Sequence, residues 1–125
     1  MTDPTDRHEA YARTVRDYFG LIDAGDLLGS VALFTPDAVY HRPGHAPMVG
    51  QDRIAHFYRK LRPIRSGAHT LDAVIVDDRG VATHGGFRGV GLDGNPIDLR
   101  FADFFEFDAA GGITRRETYF SAPLV

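Results

Sequence analysis

Proton exchange at neutral pH is the natural work of imidazole, and the candidate histidines in this sequence are His41, His45, His69 and His84. His69 opens a long extended segment. His41 and His45 are four apart but flank Pro43 and Gly44 on a loop rather than a helix face, which makes them a poor pair of metal ligands. Asp103 stands in the aromatic run ADFFEF, so if buried it is either protonated or paired with a cation, for which Arg42, Arg88 and Arg116 are available. Arg42, in the loop RPGHAPMVG, offers a planar fork to a carboxylate, enolate or phenolate oxygen, or else ends a strand or pairs with Asp103. The basic run Arg53, Arg59, Lys60, Arg62 and Arg65 complements a helix C-terminus or steers an anionic substrate. Gly89-x-Gly91-x-x-Gly94 matches a dinucleotide fingerprint only formally, because it runs into a turn and Pro96 with no helix to receive a pyrophosphate.

The elements that must hold these groups follow from periodicity. Asp6 three positions before Glu9 reads as a capping box, and Tyr11, Val15, Tyr18 and Ile22 form the buried stripe of a helix over 6–24. Gly25 caps it, and a short second helix carries Leu27, Leu28, Val31, Ala32 and Phe34, stopping before Pro36. A strand over 37–42 and a loop to Gly50 precede a third helix with Ile54, Phe57, Tyr58 and Leu61, ending near Arg62. From Ala68 onward, extended segments separated by DDRG, LDGN and DAAGG predict a meander of four antiparallel strands. Helices followed by strands give the α+β class, a curved antiparallel sheet with three N-terminal helices on its concave face. The glycines at 85, 86, 89 and 91 imply a bulge or a close approach to the backbone.

Strand alternation sorts the faces. With Asp103 inward, Leu99, Phe101, Phe105 and Phe107 are inward too, while Arg100, Ala102, Phe104 and Glu106 face out. Continued through the neighbouring turns, the inward set is expected to include His84, Gly86, Arg88 and Val90 before, and Arg116, Thr118 and Phe120 after. Phe104 beside Arg100 on an otherwise polar face suggests a covering partner subunit, hence a homodimer.

Composition narrows the function classes. The 125 residues make one domain, spanning 1–125, and 43% hydrophobic with 25% charged residues is the balance of a globular chain. A net charge of -3 argues against nucleic acid as a partner. The absence of cysteine removes thiolate catalysis, iron–sulfur clusters and disulfides. No signal-like start and no run of about 18 apolar residues stands in the chain, so a cytoplasmic protein without membrane attachment is expected.

Taken together, YFGLIDAGDLLGSVALFTPDAVYHRPG, the loop to Gly50, DRIAHFYRKL and RFADFFEFDAAGGITRRETYF resemble the nuclear transport factor two-like fold, in its ketosteroid isomerase-like and SnoaL-like polyketide cyclase branch. The resemblance implies a cone-shaped sheet around a cavity, and dimers. In the isomerase pattern, the tyrosine eight positions before the AGD aspartate falls on Tyr18 and the strand aspartate on Asp103, which implies an oxyanion hole of phenol and neutral acid. Tyr58 matches the tyrosine that steadies the first one. The family's general base falls on Arg42, which keeps its proton, so steroid isomerisation by that route is not expected. Against the epoxide-hydrolase branch, Thr118 stands where a carboxylate is needed, and His84 and Gly86 where an Arg-x-Asp pair is needed.

The expectation is therefore a cofactor-independent, metal-free enzyme isomerising, cyclising or dehydrating a small hydrophobic carbonyl compound, polyketide-like or terpenoid-like. Asp103, Tyr18, His69 and His84 are the candidate catalytic groups; Asp103 and Tyr18 would polarise an oxygen and a histidine would move the second proton, unless Asp103 is itself the ionised base. Arg42, Phe57, Tyr58, Leu61, Arg88, Phe101, Phe105, Thr118 and Phe120 would line the cavity. A binding or dimerisation module without turnover, and an epoxide hydrolase-like cyclase, are the alternatives.

Overall fold

In a computed structural model that describes residues 3–122, helix α1 (Pro4–Asp23) starts earlier than the capping box implies: Asp3 is the N-cap, its carboxylate accepting from the Thr5 N–H at 2.7 Å, with Pro4 in the first turn. Its buried face carries Tyr11, Val15, Tyr18, Phe19 and Ile22. The Gly25 N–H bonds to Ile22 O and the Asp26 N–H to Leu21 O, a Schellman closure that needs the left-handed φ of 80° at Gly25. Asp26 then caps α2 (Leu27–Val31) through the Gly29 N–H.

The second helix is shorter than expected, because Phe34 already belongs to strand β1 (Phe34–His41). Pro36 is tolerated in β1 since the pairing with β6 is interrupted between Phe34 and Val39, where no ladder N–H is required. β2 (Met48–Val49) leads into α3 (Gln51–His56), which widens into a π-helical turn, Phe57–Leu61, closed by the Arg62 N–H on Phe57 O at 2.8 Å. Strands β3 (Ile64–Asp77), β4 (Gly80–Gly91), β5 (Pro96–Phe107) and β6 (Ile113–Phe120) form the expected meander. The whole sheet is curved, unclosed and mixed, in the order β2-β1-β6-β5-β4-β3, with β1 and β6 parallel and every other pair antiparallel. Parallel β1 and β6 require a crossover, and the helix and meander between them supply it.

Alternation on β5 is as expected: Leu99, Phe101, Asp103 and Phe105 are buried, whereas Arg100, Phe104 and Glu106 are exposed. On β4 the expected faces are reversed. Thr83 lies opposite Asp103 and Phe87 opposite Leu99, so Val81, Thr83, Gly85 and Phe87 face in, while His84 and Arg88 face out. The cause is the loop, which has three residues, Leu92 to Gly94, closed by Gly94 N on Gly91 O and Gly91 N on Asn95 O with Gly94 at φ 84°. An odd-membered loop exchanges the faces that an even one preserves. Gly85 and Gly89 mark close approach, but to strand β3 rather than a ligand: a Cβ on Gly85 would lie 1.7 Å from Thr70 O, beside a bulge between Leu71 and Ala73. Among the described residues no helix is long and apolar enough to cross a membrane.

Gly85→Ala should therefore destabilise the fold by at least ~1–3 kcal/mol, the range for overpacking a tight site. Gly20→Ala, in α1 with nothing within 4 Å of the new methyl, should instead stabilise it by roughly 0.5–1 kcal/mol. Shifts of the urea midpoint in opposite directions check both.

Candidate functional site

Between α1, the π-helical turn and the concave face of the sheet lies a narrow, partly open cavity of about 20 Å³, or about 380 Å³ when every gap between atoms and the open mouth are counted. Apolar walls come from Phe19, Ile22, Ile64, Phe87, Phe101 and Phe120; polar groups converging on it are Tyr18, Tyr58, Arg42, Arg62, His69, Asp103 and Arg116.

At its floor is a buried ion pair. Asp103 on β5 is 0% exposed and Arg116 on β6 is 4% exposed. Arg116 Nε donates to Asp103 Oδ1 at 2.9 Å and Nη2 to Oδ2 at 3.0 Å, a bidentate clasp. Thr118, directly across the ladder from Asp103, donates a short hydrogen bond to Oδ1. Since the single Thr118 proton goes to the carboxylate, the Tyr40 hydroxyl 3.3 Å away is the donor to Thr118 Oγ1. Tyr40 in turn accepts from Arg42 Nη1 at 2.7 Å. Of the cations offered by the sequence, Arg116 is the partner of Asp103. The expected neutral acid is thus an engaged carboxylate, and Asp103 is not a donor to a substrate oxygen.

The third guanidinium nitrogen serves the tyrosines. Arg116 Nη1 donates to Tyr18 Oη at 2.8 Å and to Tyr58 Oη at 3.0 Å, and the two phenols share a short hydrogen bond. One phenolic proton lies between the two oxygens. The other has no acceptor among the described residues and is free for the cavity that both tyrosines line. Burial pushes the Tyr18 phenol well above its ordinary value, outweighing the opposing pull of Arg116, so Tyr18 remains a proton donor. Burial works against the Arg116 charge too, but Asp103 and the surrounding phenol oxygens hold it well above the usual arginine range. The rings of Tyr18 and Tyr40 lie 5.0 and 4.7 Å from its Cζ, adding cation–π attraction.

The base-like group is on the opposite wall. His69 Nδ1 is 2.5 Å from Asp23 Oδ1, and the His69 backbone N–H donates to Asp23 Oδ2 at 2.8 Å. A carboxylate only accepts, so Nδ1 carries the proton in the neutral ring and Nε2 keeps its lone pair. The ring is packed among Phe19, Phe87 and Phe101. Burial lowers its pKa below the ordinary histidine value despite the opposing hydrogen bond and charge of Asp23.

Of the groups named from the sequence, Tyr18, Tyr58, His69, Arg42, Phe101, Asp103 and Phe120 meet in this cavity. Thr118, Phe57 and Phe105 are buried behind its walls. His84 and Arg88 face outward and are exposed, in correction of their expected placement; His84 lies near Arg100, and Arg88 forms an ion pair with Asp98. Leu61 is 53% exposed and borders a separate cleft beside His45. Sequence reasoning missed Asp23 and Tyr40, and named Arg62 only as part of a basic run. Asp23 carried a signal: a carboxylate in the last turn of a helix opposes the helix dipole, and so calls for a compensating partner.

A helix-lined, curved sheet enclosing a cavity with phenol, guanidinium and imidazole groups defines an α+β domain of the nuclear transport factor two-like type. The model of the SnoaL-like domain matches residues 15–116, and the chain belongs to that family. Among solved structures it is similar to a nuclear transport factor two-like protein of unknown function from Burkholderia pseudomallei, with TM-score 0.82, 22% identity, 90% of this chain and 91% of that one covered. It is also similar to a hypothetical protein with ketosteroid isomerase-like fold from Catenulispora acidiphila, in complex with trimethylamine (TM-score 0.76, 18% identity, 86% and 85% covered). A third similar structure is an LEH-like epoxide hydrolase from M. tuberculosis (TM-score 0.78, 20% identity, 91% and 84% covered). These likenesses concern the fold. No curated protein matches the sequence.

Because the folded-state pKa of His69 is depressed, the unfolded chain takes up the proton first as pH falls. His69 therefore contributes stability that is full above about pH 6.5 and is lost as pH drops through the lower folded-state value. Asp23→Asn removes the charge that raises this pKa and weakens the hydrogen bond that does so, and should move the midpoint of the His69 ring resonances, followed by NMR, further down.

Proposed function

We propose that this protein is a cofactor-independent acid/base catalyst that isomerises, cyclises or dehydrates a small hydrophobic carbonyl compound of polyketide-like or terpenoid-like character. The observation that carries this reading is the placement, in one cavity, of a phenol pair backed by Arg116 and an imidazole oriented by Asp23. A substrate carbonyl oxygen accepts the free phenolic proton of the Tyr18–Tyr58 pair. His69 Nε2 removes a proton from the carbon beside that carbonyl, and the C–H electron pair moves into the new C–C double bond as the carbonyl π pair moves to oxygen. The phenols stabilise the resulting enolate, with the Arg116 charge behind them. Return of the proton from His69 to another carbon gives isomerisation; its delivery to a departing hydroxyl gives dehydration.

In this scheme Asp103 is a positioning residue, holding Arg116 rather than touching substrate. Its engagement also bears on epoxide opening, the activity named for one structural neighbour. Oδ1 accepts from Arg116 and Thr118 and Oδ2 from Arg116, which leaves His69 as the better group to activate a water.

Deuterium wash-in next to the carbonyl of cyclic enones and β-diketones, followed by NMR in D₂O, measures proton abstraction whatever the later fate of the enolate. The expected result is catalysed exchange that His69→Gln slows by about 10²-fold or more, and that the Tyr18→Phe/Tyr58→Phe pair slows by about 10²–10³-fold. Compounds that bind with no exchange above buffer rates would instead mark a binding module without turnover.

A further inference from the structure

The cavity carries an imbalance of charge that acid/base chemistry alone does not use. Among the described residues its lining holds Arg62 and Arg116 beside one carboxylate, Asp103. Asp103 is committed to Arg116, and the nearby Asp23 is committed to His69. Among the described residues Arg62 has no such counterion. Its Nε is buried with no hydrogen-bond partner among the described residues, and its guanidinium lies over the Tyr58 ring at 5.7 Å. A buried donor left unmade is costly, and a cation held without a counter-charge is costlier.

Arg62 also stands between the inner cavity and the surface. It lines both the inner cavity and an outer cleft that shares Ile22, Tyr58, Ile64 and Phe87 with it and continues to Arg65. The π-helical turn fixes this position, because the Arg62 N–H closes the turn on Phe57 O while Tyr58, four residues earlier, supplies the ring beneath the guanidinium. Burial, together with repulsion from Arg42, lowers the Arg62 pKa, as expected of a cation awaiting an anion.

We propose that the substrate of this site is an organic acid, a compact apolar ring or chain whose carboxylate is bound by Arg62, while its body lies against Phe87, Phe101 and Phe120. The inference rests on the proposed function for the location of the reacting carbons, and adds the substrate class. A carboxylate at Arg62 satisfies the orphaned Nε, neutralises the uncompensated charge and orients the hydrophobic body toward His69 and the tyrosine pair. Arg62 is in this account a substrate-binding residue, distinct from the groups that move protons.

The test uses trans-cinnamate, benzoate and cyclohexanecarboxylate against their methyl esters, with binding to the whole protein followed by NMR at the arginine Nε–H, His69 ring and tyrosine ring signals. The acids are expected to bind at least about tenfold more tightly than the esters, the scale of a charge-assisted hydrogen bond. Arg62→Gln should reduce acid binding to the level of the esters, and Arg62→Lys should restore part of the difference. Equal binding of acids and esters, acid binding indifferent to Arg62→Gln, or no acid binding at all overturns the proposal. Acid binding that depends on Arg62 yet leaves the His69 and Tyr58 signals unmoved supports the substrate class and contradicts the catalytic reading, so the two fail separately.

Discussion

The site depends on one buried ion pair. Taking a carboxylate and a guanidinium out of water costs several kcal/mol per ion, and their attraction offsets this only if nearly every remaining donor and acceptor is satisfied. Here both carboxylate oxygens meet the Arg116 fork, Thr118 fills a further acceptor position on Asp103, and the spare nitrogen of Arg116 serves two phenols. The aromatic faces of Tyr18 and Tyr40 supply what hydrogen bonds cannot. The β5–β6 register that sets Asp103 opposite Thr118 is therefore also what places the tyrosines.

From this pair follows a division of roles. Arg116 occupies an acceptor site on each phenol, so the phenols can only share one proton and offer the other. Burial keeps Tyr18 protonated, and the same burial keeps the His69 ring inclined to be neutral. Donor and acceptor thus arise from one physical cause acting on groups of opposite charge type, since desolvation disfavours phenolate and imidazolium alike. Asp23 fixes which imidazole nitrogen is left with a lone pair. The acid/base reading of the cavity rests on that pairing.

Much of the fold was legible because long-range order here follows local periodicity. The α1 stripe, the turn residues of the meander and the alternation on β5 each specify their element without help from elsewhere. What escaped is what depends on counting through a turn or on contacts distant in the chain. One residue in the β4–β5 loop decides whether His84 or Thr83 faces the cavity, and the sequence LDGN does not say whether that loop is odd or even. Pro36 reads as a breaker until the gap in the β1–β6 ladder shows that no N–H is needed there. Tyr18, Tyr58 and Asp103 were visible through the family resemblance, and Arg116 as a possible counterion. Their mutual arrangement was not, because a carboxylate in an aromatic strand is compatible with either protonation or pairing, and only the side chain across the ladder decides. Arg62 was hidden in a basic run whose neighbours Arg59 and Lys60 are exposed.

The proposed chemistry requires the Tyr18–Tyr58 pair to be a neutral donor despite the adjacent Arg116. The most direct measurement is an NMR titration of the tyrosine ¹³Cζ resonances, assigned through Tyr18→Phe and Tyr58→Phe. The account predicts that the Tyr18 resonance keeps its phenol position beyond pH 10, past the ordinary tyrosine value, until the fold itself is lost. A Tyr18 resonance that moves to its phenolate position at or below that pH would contradict it, and would make the pair an arginine-stabilised base rather than a donor.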